Sequence, residues 1–448
     1  GNAVKYLEAE MALHSNEWYT ESEEFEAFRF QKDGIVLDIT KKTYGFSDQA
    51  EEIGIYENKN GIITLNDISF ACSRMDEIKE TVLTRNDEFW FNSSLYDKYK
   101  EKTIFYEIDS EENYPIILMP FDNDRKEADS KISEILLASY WKYICEYDAD
   151  SIIEEFLDNG NIKQYAWEIS SEGADSGKYC LSGDVLVFME GVEVHRLYYV
   201  TKSEIKKELK ELFGSDLSWI PDSLFFEREY VPCYTDEERH PFYLLPIEQV
   251  SQKEAYSKVI ENEEKYYGSY ELHTVNELQY AIGVCYLELR DVNDDGTDEL
   301  YLVHNSNIRS EYGGLNEEAS YQYELWGYKK GCAVKMEEGK LLFSNGGWPS
   351  VCWSEYQDEP CLITSSSTES VIYEIHGARE DGSFGVISSF MYDWDTGSHM
   401  IDARSVSEEE WVDEVEQLMN NTEGETLFYK NGDTVYSKVQ KVKALLEQ

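Results

Sequence analysis

Alternating apolar runs broken by Asp-Gly and Asn-Gly pairs constrain this chain more than any other feature. In "FEAFRFQKDGIVLDI" (25–39) Phe28 and Phe30 alternate with polar residues up to Asp33-Gly34, and apolar positions then resume. "IGIYENKNGIITL" (53–65) repeats the pattern around Asn60-Gly61. Glycine takes the positive φ that a tight hairpin turn needs, so each run predicts two antiparallel strands. "EFWFNSSL", "KTIFYEI", "YAWEISS", "DVLVFMEGVEVHRLYYV", "AIGVCYLELR" and "ELYLVH" read as further strands. Hairpins are expected over 320–338 and over 369–394, the latter turning at Asp381-Gly382. The 34 tyrosines, part of a 14% aromatic content, suit strands with half-wet faces.

Helices are fewer and carry their own start signals. Capping boxes stand at Thr201/Glu204, Ser251/Glu254 and Ser407/Glu410, with Gly214 and Gly268 closing the first two. "TVYSKVQKVKALLEQ" reads as a last helix. "DSKISEILLASYWKYICEY" (129–147) places Ile132, Ile135, Leu136, Tyr140 and Ile144 on one stripe. "SIIEEFLDNG" (151–160) is read as a helix ending at Gly160. The expected class is α+β: a β-rich multidomain chain with antiparallel sheets and a few capped amphipathic helices. No internal repeat of fixed period is visible, which disfavours a propeller or repeat array.

The eight prolines cluster at Pro115 and Pro120, at Pro221 to Pro246, and at Pro349 and Pro360. Proline is excluded from central strands and helix interiors. The expected domains are therefore 1–118 (β-rich), 119–247 (α+β) and 248–448 (α+β). With 40 basic and 91 acidic residues the formal net charge is −51. That charge repels phosphate backbones and anionic membranes, so no nucleic-acid partner is expected. No stretch reaches the ~18 apolar residues of a membrane span. "GNAVKYLEAEM" lacks a basic-then-apolar leader. The eight cysteines include no C-x-x-C pair, so a zinc ribbon or redox dithiol is not expected. The default is free thiols, with one disulfide among Cys332, Cys352 and Cys361 as the alternative.

"RDVNDDGTDELYLVH" (290–304) carries the most specific chemistry. Calcium takes six to eight oxygen ligands, which a short loop supplies at alternate positions. Counting from Asp291, side chains at the first, third and fifth places are Asp291, Asn293 and Asp295. Gly296 follows at the sharp turn, Thr297 offers a carbonyl, and Glu299 a carboxylate at the ninth place. The twelfth place holds Leu302 instead of the bidentate Glu of an EF-hand, and both flanks alternate like strands. The loop resembles the strand–loop–strand calcium loops of FG-GAP-type repeats. It is also similar to "D-x-N-x-D-G-x-x-E-L" hairpins in uncharacterised secreted or lipid-anchored surface proteins of Gram-positive gut bacteria. That resemblance covers about 280–345 and implies an extracellular or cell-surface location more than an activity. The competing reading is a polar hairpin turn without metal. The N-terminal hundred residues, with Trp18 and the Asp33-Gly34 hairpin, faintly resemble small lipocalin-like barrels.

Catalytic motifs are sparse. No two of the seven histidines have the spacing of a zincin, and G-x-S-x-G is absent. "SEIK" (203–206) has Ser-x-x-Lys spacing, but the capping box explains it. "MYDWDTGSHM" offers Asp393, Asp395 and His399 as a carboxylate pair of glycosidase type. Trp348 and Trp353 lie in "SNGGWPSVCWSEY", a context suited to ligand-stacking loops. The expectation is an extracellular or cell-surface binding or structural protein of unknown ligand, glycan or protein, with a stabilising calcium loop. The alternative is a secreted hydrolase acting on a glycan or peptide.

Overall fold

The fold is given by a computed structural model. It describes residues 2–21, 25–78, 93–108, 116–121, 126–144, 152–166, 168–227, 242–275, 278–305, 321–341, 350–367, 370–380, 383–420, 422–426, 428–429 and 433–447. The Asp381-Gly382 turn, Trp348 and residues 88–92 of "EFWFNSSL" lie outside the described residues. The chain divides into two compact units, one of residues 1–167 with 174–247, the other of 168–173 with 248–448.

The first unit holds two closed eight-stranded antiparallel barrels. Helix α1 (Asn2–Ser15) leads into β1 (Glu17–Glu21), β2 (Phe25–Phe30), β3 (Ile35–Asp38), β4 (Glu51–Lys59), β5 (Ile62–Leu65), β6 (Ile68–Arg74), β7 (Thr103–Glu107) and β8 (Ile117–Phe121). Short helices α2 (Thr40–Thr43) and α3 (Ser93–Tyr99) sit in the connections. Helix α4 (Ser130–Ala138) leads into β9 (Trp141–Ile144), β10 (Ile152–Phe156), β11 (Asn161–Ala166), β12 (Ala174–Ser182), β13 (Val185–Glu190), β14 (Glu193–Thr201), β15 (Ser223–Phe226) and β16 (Tyr243–Pro246). Helix α5 (Lys206–Phe213) joins β14 to β15. Every neighbouring pair is antiparallel, and β8 returns to β1 as β16 returns to β9.

The two barrels repeat one design. In each, a helix plugs one end and the first strand opens on a fully buried tryptophan. The Trp18 indole donates to the Leu13 carbonyl, and the Trp141 indole to the Leu136 carbonyl, both five residues back and both at 3.0 Å. The second hairpins, β2–β3 and β10–β11, match as well. Gly34 and Gly160 have φ of 92° and 82°, and each donates its N–H to the carbonyl three residues back, on Gln31 and Leu157. Each Gly carbonyl then accepts from a tyrosine N–H, Tyr56 or Tyr179, at 2.9 Å. The expectation of no internal repeat is thus corrected: the pattern survives in tryptophan, turn and topology, while loop lengths differ enough to blur a fixed period.

Two further expectations fail in the second barrel. Residues 152–156 form a strand, not a helix, and helix α4 stops at Ala138, so Trp141–Ile144 is strand β9. A short apolar run has no period that separates helix from strand. Here β-branched Ile152 and Ile153 pair with Ala166 and Tyr165 across the hairpin, and barrel closure decides. Phe156 faces the lumen core, and Glu155 on the other face accepts the Tyr165 hydroxyl at 2.6 Å. The barrels pack on one another through Val187 and Val194 of the second against Tyr19, Phe25 and Met119 of the first. The Arg196 guanidinium stacks over the Phe25 ring at 4.7 Å.

The second unit is α+β. Helix α6 (Gln252–Tyr267) is capped by Ser251, whose hydroxyl accepts the Glu254 N–H, and ends at Gly268. One sheet has the order β17 (Glu271–Val275), β18 (Leu278–Arg290), β19 (Glu299–Asn305), β20 (Tyr321–Lys329), β21 (Cys332–Leu341). The other comprises β22 (Ser350–Tyr356), β23 (Glu359–Ser367), β24 (Ser370–Ala378), β25 (Phe384–Asp393), β26 (His399–Ile401), β27 (Arg404–Val406) and β28 (Glu423–Thr426). A short β29 (Phe428–Tyr429) pairs with β18. Tyr301, Tyr323 and Leu325 of the first sheet meet Val351, Trp353 and Leu362 of the second in one core. The outer face of the first sheet packs on α6 and α8 (Asp433–Glu447), and that of the second on α7 (Glu408–Asn420). The chain as a whole is β-rich and antiparallel, more so than the α+β expectation, because its first unit is built of two closed barrels.

Candidate functional site

The acidic loop joins β18 to β19, with Arg290 paired to Glu299 at its base. Strand pairing therefore brings Glu299 back beside Asp291 although eight residues separate them. Within the loop Asp291, Asn293 and Asp295 each fold onto the backbone ahead of them. Asp291 accepts the N–H groups of Asp295 (3.2 Å) and Gly296 (2.8 Å). Asn293 Oδ1 accepts Asp295 N–H at 3.1 Å, and Asp295 Oδ1 accepts Thr297 N–H at 2.8 Å. Gly296 has φ 84°, as the sixth position of such a loop demands. Glu299 Oε2 accepts Val292 N–H at 2.9 Å, and Asn293 donates to its other oxygen at 3.4 Å. The loop is anchored from outside: the Gln252 amide and the Tyr256 hydroxyl both donate to the Asp298 carbonyl, at 2.7 and 2.9 Å.

Glu299 is 2% exposed. Burial pushes its carboxyl up to about 7 against the pull of the Val292 N–H, and the charges of Asp295 and Asp291 push the same way. Asp291, Asn293, Asp295 and Glu299 thus share one loop, with Asp295 and Asp291 near enough to act on Glu299 by charge. The set is all oxygen, which suits a hard dication, and a buried acid held among two further acids is a group that such an ion relieves. The residues present fit calcium by donor type.

The two tryptophans part company. Trp353 is 2% exposed, edge-on to Tyr301 at 5.2 Å, and its indole donates to Glu288 at 3.0 Å. It is a core residue, because the alternation of β22 turns Val351 and Trp353 together toward the opposing sheet. The expected stacking role for Trp353 is corrected on that ground. In "MYDWDTGSHM", Asp393 accepts the N–H groups of Asp395 and Thr396, which holds its carboxyl below the usual range. That is the chemistry of a turn. Cys332, Cys352 and Cys361 are free thiols. Burial raises Cys361 and Cys72 to about 11.

Two features were missed in the sequence. The first is a cavity of about 310 Å³ in the first barrel. Its walls are the inward-facing Phe28, Ile53, Leu65, Ile68 and Ile116, with Glu26, Asp38 and Asn66 among them. Strand register puts Glu26, Asp38 and Asn66 at the end opposite α1, which fills the other end with Ala9 and Leu13. The second is a buried polar cluster under α6. Leu300, Leu302 and His304 alternate toward that helix on β19, as Glu324 and Trp326 do on β20. Glu263 of α6 completes the group. A His and a Glu interrupting two apolar stripes at period two were the legible signal. Burial, with Glu324 adding to it, pushes Glu263 up to about 7. Burial alone would raise Glu324 too, but the His304 hydrogen bond and the Lys335 charge outweigh it and hold that carboxyl low.

No family model matches the chain, and no curated protein matches it. Among solved structures, the DNA polymerase sliding clamp from Bacillus subtilis aligns with 8% identity over 86% of this chain and 96% of that one. Its TM-score of 0.12 carries no argument about fold.

Proposed function

We propose that this chain is an extracellular or cell-surface binding protein, with calcium holding the acidic loop of its second unit. The observation that carries binding is the cavity of the first barrel. An eight-stranded barrel is just wide enough to be filled by its own side chains or to hold one small ligand. Here one end is filled and the other is left as about 310 Å³ of largely apolar wall. That is the lower end of small-molecule sites, ~300–1,000 Å³. Glu26 and Asp38 favour a neutral or cationic apolar ligand over an anionic one. The loop supports the location, since low-affinity calcium loops need the millimolar calcium found outside cells.

The test is a fluorescence titration with the neutral probe N-phenyl-1-naphthylamine. Saturable binding that Leu65→Trp abolishes by filling the cavity supports the reading. Non-saturable binding, or binding equal in Leu65→Trp, sinks it. One observation favours the hydrolase alternative. Thr364 Oγ1 lies 3.0 Å from His376 Nε2, whose Nδ1 lies 2.6 Å from Glu337, an order of hydroxyl, imidazole and carboxylate used by nucleophilic enzymes. Thr364 is 7% exposed, which sets that hydroxyl away from a substrate and places the binding reading first. Turnover of p-nitrophenyl acetate lost in His376→Ala would reverse the order.

A further inference from the structure

We propose that Glu263, His304 and Glu324 form a binding site for a divalent transition metal of the zinc class, separate from the calcium loop. Each side chain offers one ligand atom, and the three atoms lie within 4.8 Å of one another. They come from three different rigid elements, α6, β19 and β20, which is how a site is held more tightly than on a loop. One imidazole nitrogen and two carboxylate oxygens match zinc or cobalt; calcium would take oxygen alone.

The independent observation is the histidine itself. His304 is 1% exposed, and its Nδ1 has no hydrogen-bond partner among the described residues. Its Nε2 lies 3.5 Å from Glu324 Oε1. Every protonation state of the ring therefore leaves one buried nitrogen uncompensated by protein groups. Such a vacancy destabilises the fold unless a partner fills it. A dication bound at the ring nitrogen that faces Glu324 would fix the tautomer and place the proton on the other nitrogen.

The surroundings orient the ligands as an outer shell does. Tyr267 stacks on the His304 ring at 3.7 Å and 13°, fixing its plane. The Trp326 indole donates to Glu324 Oε2 at 2.9 Å, which leaves Oε1 facing the cluster. The Lys335 ammonium also reaches Oε1, at 3.2 Å, but holds Glu168 at 2.8 Å and Glu338 at 3.0 Å as well. It keeps two partners when Glu324 turns to a metal. Three carboxylates surround the one ammonium and Glu263 stands nearby as a fourth, so a dication moves the cluster toward neutrality.

The experiment is a cobalt(II) titration of the chelator-stripped full chain, followed by visible absorption. A four-coordinate site with a nitrogen ligand gives d–d bands that an all-oxygen, six-to-eight-coordinate loop does not. The expected result is one equivalent of cobalt with those bands, in the unaltered chain and in Asp295→Ala, undisturbed by millimolar calcium. His304→Ala should lose the bands. Glu263→Gln, on a half-buried helix position, should weaken binding at least tenfold, and it carries the test if His304→Ala does not fold. Absence of the bands, their loss in Asp295→Ala, or unchanged affinity in Glu263→Gln would overturn the proposal.

Discussion

Single residues decide whether the acidic loop is a metal site or a turn. Asp295 accepts the Thr297 N–H and is one of the loop's candidate oxygen donors. In EDTA, Asp295→Ala should cost only about 1 kcal/mol, the value of one hydrogen bond. In calcium it should also lose the bound ion's contribution, about 2.7 kcal/mol when the ion is ~100-fold above its Kd. Urea melts in the two buffers measure that difference; equal losses would mean a turn without metal. The thiols give a second residue-scale prediction. Cys285 and Cys361 are 0% exposed, and burial raises both above the usual thiol range. Neither should react with iodoacetamide at pH 8 until the chain unfolds, as peptide mapping would show. The loop was legible because its candidate ligands lie within nine residues, where spacing is geometry. The His304 cluster was not, because Glu263, His304 and Glu324 meet only after a helix has packed on a sheet.

Elements were legible where turns announced them. The Asn60-Gly61 hairpin carries the φ values of 61° and 91° that its two-residue turn requires, and Ser251 caps its helix. What periodicity did not distinguish was a buried strand from a buried helix, as at Ile152–Phe156, where neighbours on both faces set the outcome. Nor did it show the plugs. Helices α1 and α4 each seal a barrel, the second through Ile132 and Leu136 against Trp141 and Phe156. Leu136 is 1% exposed, so Leu136→Ala should cost about 2–5 kcal/mol, whereas exposed Leu7→Ala on α1 should cost under about 0.5 kcal/mol. Denaturant melts of the two variants check this. Similar small losses would mean that α4 is no plug.

At the scale of the molecule, closure is what local sequence reasoning misses. Hairpin after hairpin can be read from Gly and alternation, yet nothing local says that β8 must find β1 or β16 find β9. The repeated Trp-to-carbonyl bond is the trace that links the two barrels, and two tryptophans 123 positions apart are easily passed over. The division into units gives a prediction at this scale. A piece spanning 248–448 should fold alone, but below its stability in the full chain. It would lack Glu168, a partner of Lys335, and Ser171, whose hydroxyl donates to the Met336 carbonyl at 2.6 Å. A piece without a cooperative transition would contradict that division. The claim on which location and the second unit's stability both rest is that calcium occupies the loop. The most direct test is a thermal melt of the full chain in excess EDTA, then in millimolar calcium, then in magnesium. The account predicts a rise in Tm with calcium that magnesium does not reproduce and that Asp295→Ala removes. The same Tm in all three buffers would contradict it and leave "DVNDDGTDE" as a polar hairpin turn.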